Sequence, residues 1–158
     1  MSRSKKYGRR AITIICQKLV ETHESRKKRI KNMQVERESL YDKFKSLNIT
    51  DMPTSHGGGV SDPVHDLYCH LEELDEAIKV EQHRIDIIDT AIGNIGKNIE
   101  PDLAIRKQMQ SCILTNIQMG GFNIPFAYMN YPEKYSKDAF YLHRQAFLKE
   151  IAQKLYLS

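Results

Sequence analysis

The chain has 158 residues, of which 41% are hydrophobic and 28% charged, with no tryptophan and a formal net charge of +4. That suits one domain, or an elongated helical rod with a small compact unit, whose helices carry narrow apolar seams. No run approaches the roughly 18 apolar residues of a membrane span, and the apolar stretch after the basic start is too short for a signal peptide, so a soluble, cytoplasmic protein is expected.

The charge is unevenly placed. Residues 1–45 hold 14 Lys/Arg against 5 Asp/Glu, residues 61–102 hold 3 against 11, and residues 103–158 hold 7 against 3. A basic first helix and an acidic second one suit each other as partners, while both ends stay positive enough to meet a polyanion.

Met1 to Arg10 (MSRSKKYGRR) reads as a flexible basic arm, either a phosphate-contacting tail or a solubilising segment. Ala11 to Leu47 follows with helical spacing. Ile12, Leu19, Met33, Leu40 and Leu47 share one heptad position, and Cys16, Ile30 and Phe44 share the other. His23, Arg26 and Arg37 interrupt that seam. The block Arg26 to Lys31 is the densest run of charge and reads better as a solvated face than as a phosphate grip.

Asn48 to Pro63, with two prolines and three consecutive glycines, is expected to be a loop that returns the chain as an antiparallel hairpin. Ser61 or Asp62 can cap the next helix, with Pro63 in its first turn. Leu67, Leu71, Leu74, Ile78, Glu81, Ile85, Ile88, Ile92 and Ile95 then alternate steps of four and three residues, with Glu81 the only polar member, the rhythm of a helix with one seam turned to a partner. The spacing leaves open whether that partner belongs to the same chain or to a second copy; an exposed seam would make a dimer.

Gly93 and Gly96 predict the end of this helix. Glu100-Pro101-Asp102 predicts a fresh start, with Leu103, Arg106, Met109, Cys112, Ile113 and Ile117 as the seam of a third helix. From Phe122 onward the character changes, because five of the eight tyrosines and four of the five phenylalanines lie there. A short helix over Ile124 to Met129, a break at Asn130-Tyr131-Pro132, and a helix entered through Ser136 and running to about Leu155 are predicted. Phe140, Phe147, Leu148, Ile151 and Leu155 form its apolar face.

Signals for catalysis are few. Three widely spaced cysteines do not make a disulfide framework. His56-Gly57-Gly58-Gly59 has no nucleophile elbow to serve, and phosphate-loop and dinucleotide fingerprints are missing. His65 and Cys69 share a helical face beside His70, but a zinc site needs about four converging ligands. No enzyme activity, metal or cofactor is expected.

The tail offers more. Two helices joined through Pro132 have a helix-turn-helix outline, which would bring the start of the second helix to the major groove of duplex DNA. Lys137, Tyr141 and Gln145 would face base edges, with Lys134, Tyr135, Arg144 and Lys149 nearer the phosphates; plain packing of two short helices remains the alternative. Arg144 falls between Phe140 and Phe147 on the helical wheel, so a structural role is open for it too.

The segment HGGGVSDPVHDL, the isoleucine-rich acidic helix, and the ending YSKDAFYLHRQAFLKEIAQKLYL resemble small phage-encoded transcriptional regulators of the RinA/ArpU type. The likeness covers about half the chain. It implies late-gene regulation in phages and prophages of Gram-positive bacteria, a sigma-like DNA-reading tail, and RNA polymerase as a second partner. Leu142 and His143 depart from the arginine-rich last helix of that family.

The expectation is therefore an all-α protein with a basic arm (1–10), a coiled-coil-like helical hairpin (11–99, loop 48–63) and a helix-turn-helix-like unit (100–158). It would bind duplex DNA as a dimer and regulate transcription. A coiled-coil adaptor for a protein partner, and a phage DNA-packaging component like a small terminase subunit, are the competing readings.

Overall fold

The computed structural model describes residues 3–50, 62–119 and 130–157. Among them every regular element is helical: α1 (Arg3–Glu21), α2 (His23–Thr50), α3 (Pro63–Asn94), α4 (Leu103–Gln118) and α5 (Lys137–Ala152), with a closing π-turn at Gln153–Leu157. The protein is all-α, as the apolar spacing predicts.

Two boundaries differ from the sequence reading. The basic arm is not a separate segment, because α1 already begins at Arg3. Arginine and lysine are good helix formers and no proline intervenes, so the helix seeded by the apolar positions after Ala11 extends backward through them. The single helix expected over 11–47 is also divided at Thr22. There the hydroxyl donates to the Lys18 carbonyl at 2.8 Å, and the backbone N–H reaches the same oxygen at 3.1 Å. A threonine that bonds back to the preceding turn competes with continuation of the helix. Beyond the break, α2 has no proline or glycine and runs to Thr50, three residues into the expected loop. The rest of that loop, 51–61, lies outside the described residues.

The chain forms two compact units, and their limits do not follow the expected partition. One comprises 1–24 and 84–158; the other comprises 25–83. In the second, α2 and α3 are antiparallel: Arg26 pairs with Glu81 and, farther along α2, Arg37 pairs with Asp75, earlier on α3. Ile30 and Met33 of α2 and Leu71 and Leu74 of α3 are buried. Along the α3 seam Leu71, Leu74, Ile85, Ile88 and Ile95 are buried within this one chain, while Leu67, Ile78 and Ile92 are half-buried. Asp62 is the residue that caps α3, its carboxylate accepting from the Val64 N–H at 3.0 Å.

The first unit holds the larger core. Cys16 and Val20 of α1 meet Ile87, Ile88, Ala91 and Ile95 of α3, Met109, Cys112, Ile113 and Ile117 of α4, and Phe140, Phe147, Leu148 and Ile151 of α5. α1 packs against both α4 and α5. His23, 4% exposed, has its Nε2 2.7 Å from an oxygen of Asp89. Gly96, at φ +75°, turns the chain out of α3, and its carbonyl accepts from the N–H of Glu100 at 2.8 Å. The left-handed backbone favours glycine there, and a Cβ would press on the Met109 side chain, 3.0 Å from its sulfur. Asp102 caps α4 through the Ala104 N–H at 2.9 Å. Of the α4 seam, Leu103 is 67% exposed and Arg106 is turned back onto the Glu100 carbonyl, while the other four positions are buried.

Candidate nucleic-acid interface

α5 is positioned by the turn before it. The Tyr135 N–H donates to the Pro132 carbonyl at 3.0 Å, closing the turn. Ser136, in an extended conformation, then accepts from the Ala139 N–H at 3.1 Å and starts the helix. Asp138 in the first turn complements the positive end of the helix dipole. Phe140, Phe147, Leu148 and Ile151 lock one face into the core. The opposite face is left to solvent: Lys137, Asp138, Leu142, Gln145, Ala146 and Lys149 are exposed. Lys137, Gln145 and Lys149 lie on one i, i+4 row with Tyr141, which is half-buried with its ring edge-on to Phe140 at 5.2 Å.

The remaining expected contacts are placed differently. Arg144 is 2% exposed, and its Nε donates to Asn116 Oδ1 at 2.7 Å across the core. The expectation that it stands near the phosphates is corrected: the wheel position between Phe140 and Phe147 carries it inward, and its burial draws the guanidinium below its ordinary range. Lys134 and Tyr135 converge on Glu100 instead of pointing away from the fold. Lys134 forms an ion pair with the Glu100 carboxylate, Tyr135 donates its phenol to it at 2.9 Å, and the Asp102 N–H donates at 3.0 Å. These donors, Lys134 first, hold the Glu100 carboxyl below the usual carboxylate range. The Lys134 ammonium is raised in turn by the same pairing and lies 5.5 Å from the Tyr135 ring centre.

A second tie fixes the turn from the other side. The Tyr131 phenol and His143 Nδ1 are 2.6 Å apart, and the Tyr131 ring meets Phe140 edge-on at 5.0 Å. Burial lowers the His143 pKa and raises that of Tyr131. A neutral imidazole and a phenol therefore share one proton-bearing hydrogen bond. The first helix of the helix-turn-helix outline, Ile124 to Met129, lies outside the described residues. The turn and the second helix are as expected.

No family model, curated protein or solved structure matches this chain.

Other sequence candidates are less developed. His65 Nε2 is 3.6 Å from Cys69 Sγ, while His56 and its glycines lie outside the described residues. Among the described residues no three His, Cys, Asp or Glu side chains converge as a metal site, and no helix is long and apolar enough to cross a membrane. Glu100 and Asn116 are buried polar anchors that the sequence reading lacks. Asn116 had a legible signal, since it falls three residues after Ile113 and beside Ile117 on the buried face of α4. Glu100 had none beyond its place before Pro101.

Proposed function

We propose that this protein binds duplex DNA through the exposed row of α5 and regulates transcription of phage or prophage genes. The observation that carries the reading is the placement of Lys137, Gln145 and Lys149, all exposed, along one face of a helix whose start is capped and whose preceding turn is tied down on two sides. A major-groove reader needs this combination, because base discrimination requires side chains held to a fraction of an ångström. Lys137 and Lys149 supply phosphate contacts and Gln145 a base-edge contact. Lys134 and Tyr135 act by fixing the turn. Tyr141 contributes its exposed edge, and Arg144 supports the helix from within. The phage and late-gene assignment, and RNA polymerase as a second partner, come from the resemblance to RinA/ArpU-type regulators.

Fluorescence anisotropy with labelled duplex DNA at several salt concentrations tests this. Affinity should fall as salt rises, with a slope of about −0.9 per phosphate contact. Replacing both Lys137 and Lys149 by alanine should reduce that slope by about 2 while helicity persists. DNA binding that is undetectable even at low salt would end the proposal. An adaptor role is the second reading; Val35 (67% exposed), Tyr68 (50%) and Val80 (49%) on the hairpin helices favour it, since they present apolar surface outside the closed seam. Recovery of a protein partner that survives nuclease treatment would select it. Light scattering that gave a large ring would favour the packaging reading.

A further inference from the structure

The exposed face of α5 is not uniformly polar. Leu142, 65% exposed, stands at its middle. A lone exposed leucine is ordinary on a protein surface, but the neighbours of this one set it apart. On the helix its adjacent positions are Asp138 at i−4, Gln145 at i+3 and Ala146 at i+4, all exposed. The two lysines of the face, Lys137 and Lys149, lie toward its ends, separated by about 18 Å of helix axis. The face therefore carries one lysine at each end, with Asp138 beside the first of them and the uncharged Leu142, Gln145 and Ala146 between.

That order fits the chemistry of a duplex major groove. Its walls are phosphates and its floor is base edges, and the one apolar group on that floor is the thymine 5-methyl. A leucine gains nothing from a phosphate, and an aspartate is repelled by one, so the Asp138–Leu142 part of the face suits base edges and not backbone. Helical side chains lean toward the helix N-terminus. The Leu142 isobutyl group is thus carried over the first turns of α5, the end that enters the groove in a helix-turn-helix arrangement.

We infer that Leu142 is a specificity-determining residue that reads a thymine methyl group in the major groove. The inference rests on the DNA reading above and adds the base that the exposed leucine selects.

The test uses the full chain. Duplexes enriched from a random pool by the wild-type protein are resynthesised with deoxyuridine in place of single thymidines, which removes the methyl and leaves base pairing intact. At one position the replacement should weaken wild-type binding about fourfold, the value of one buried methyl. Leu142→Ala should bind the thymidine and deoxyuridine duplexes equally. Because the side chain is mostly exposed, the variant should keep its helicity and melting temperature, and both are measured alongside. Wild-type binding that ignores every such replacement overturns the inference and leaves DNA binding intact. A methyl penalty that persists in Leu142→Ala also overturns it, because another side chain would then be the reader. A pool from which no duplex is enriched overturns the DNA reading itself, and this inference with it.

Discussion

The buried carboxylate of Glu100 and the imidazole of His143 act on the same turn but titrate in different ranges. Glu100 is held below its ordinary value of 4.5 by Lys134, the Asp102 N–H and Tyr135. It therefore stabilises the fold fully above about pH 4.5, and that contribution is lost as pH falls through the lowered value. His143 is lowered from 6.5 by burial, so the unfolded chain binds its proton first, and stability declines as pH drops from 6.5 toward the folded pKa. Melting temperature followed from pH 8 to pH 3 should fall in two stages. His143→Gln should flatten the upper stage, and Glu100→Gln the lower. An unchanged upper stage in His143→Gln would mean that the imidazole is not the group responsible.

The thiols make a second prediction at this scale. Burial raises the pKa of Cys16 and Cys112, whereas Cys69 is only partly covered on α3. Since the thiolate is the reactive form, a thiol reagent should label Cys69 alone in the native protein and all three cysteines in denaturant. Rapid native labelling of Cys112 would contradict its place in the core.

At the scale of elements, the hairpin shows why interruptions in a seam are not defects. Each of the three polar residues that break the α2 pattern is met by an acid of α3: His23 by Asp89, Arg26 by Glu81 and Arg37 by Asp75. The Arg26–Glu81 pair lies within the seam, with the two side chains 11% and 12% exposed and 2.7 Å apart. Removing one charge leaves the other in a poorly solvated position. Glu81→Ala should therefore cost about 3 kcal/mol, whereas the joint replacement Arg26→Met with Glu81→Leu should be near neutral. Urea denaturation of the two variants beside the wild type measures the difference, and equal losses for single and double replacements would refute the account. The α3 seam was legible because heptad spacing names a face without naming what covers it. The Ser136 cap and the apolar face of α5 were legible for the same local reasons, and Ser136→Ala should cost about 1 kcal/mol. The break at Thr22 was not legible, because a hydroxyl that bonds to its own helix gives the same sequence signal whether it ends the helix or only bends it.

For the molecule as a whole, the least legible fact is where α1 goes. Nothing local in Cys16 or Val20 says that they will meet helices more than eighty residues onward, yet both are fully buried in the core that α4 and α5 share. The candidate site was half legible in the same sense. Lys137, Gln145 and Lys149 could be placed outward from helical period alone, but Lys134 and Tyr135 are claimed by Glu100, thirty-four and thirty-five residues earlier, and Arg144 by Asn116. Pairings across that separation leave no trace in local spacing. Removing residues 1–21 should therefore disrupt the C-terminal helices as severely as a core truncation such as Phe140→Ala, which should cost about 3–5 kcal/mol. Near-ultraviolet circular dichroism of the tyrosines around Tyr131 reports on this, and a truncated chain that keeps its native signal and melting temperature would overturn it.

The distribution of α1's partners also sets an order of assembly. During synthesis α1 emerges before α4 and α5, so the faces that cover Cys16 and Val20 are completed only when α5 has been made, on the order of ten seconds later at elongation rates of about 5–20 residues per second. The hairpin over 25–83 has both of its strands of contact well before then and can close early. In that interval the newborn chain carries the uncovered apolar face of α1 beside a hairpin that can already have closed, and this is when a chaperone, or a neighbouring nascent chain, has its best opportunity to engage it.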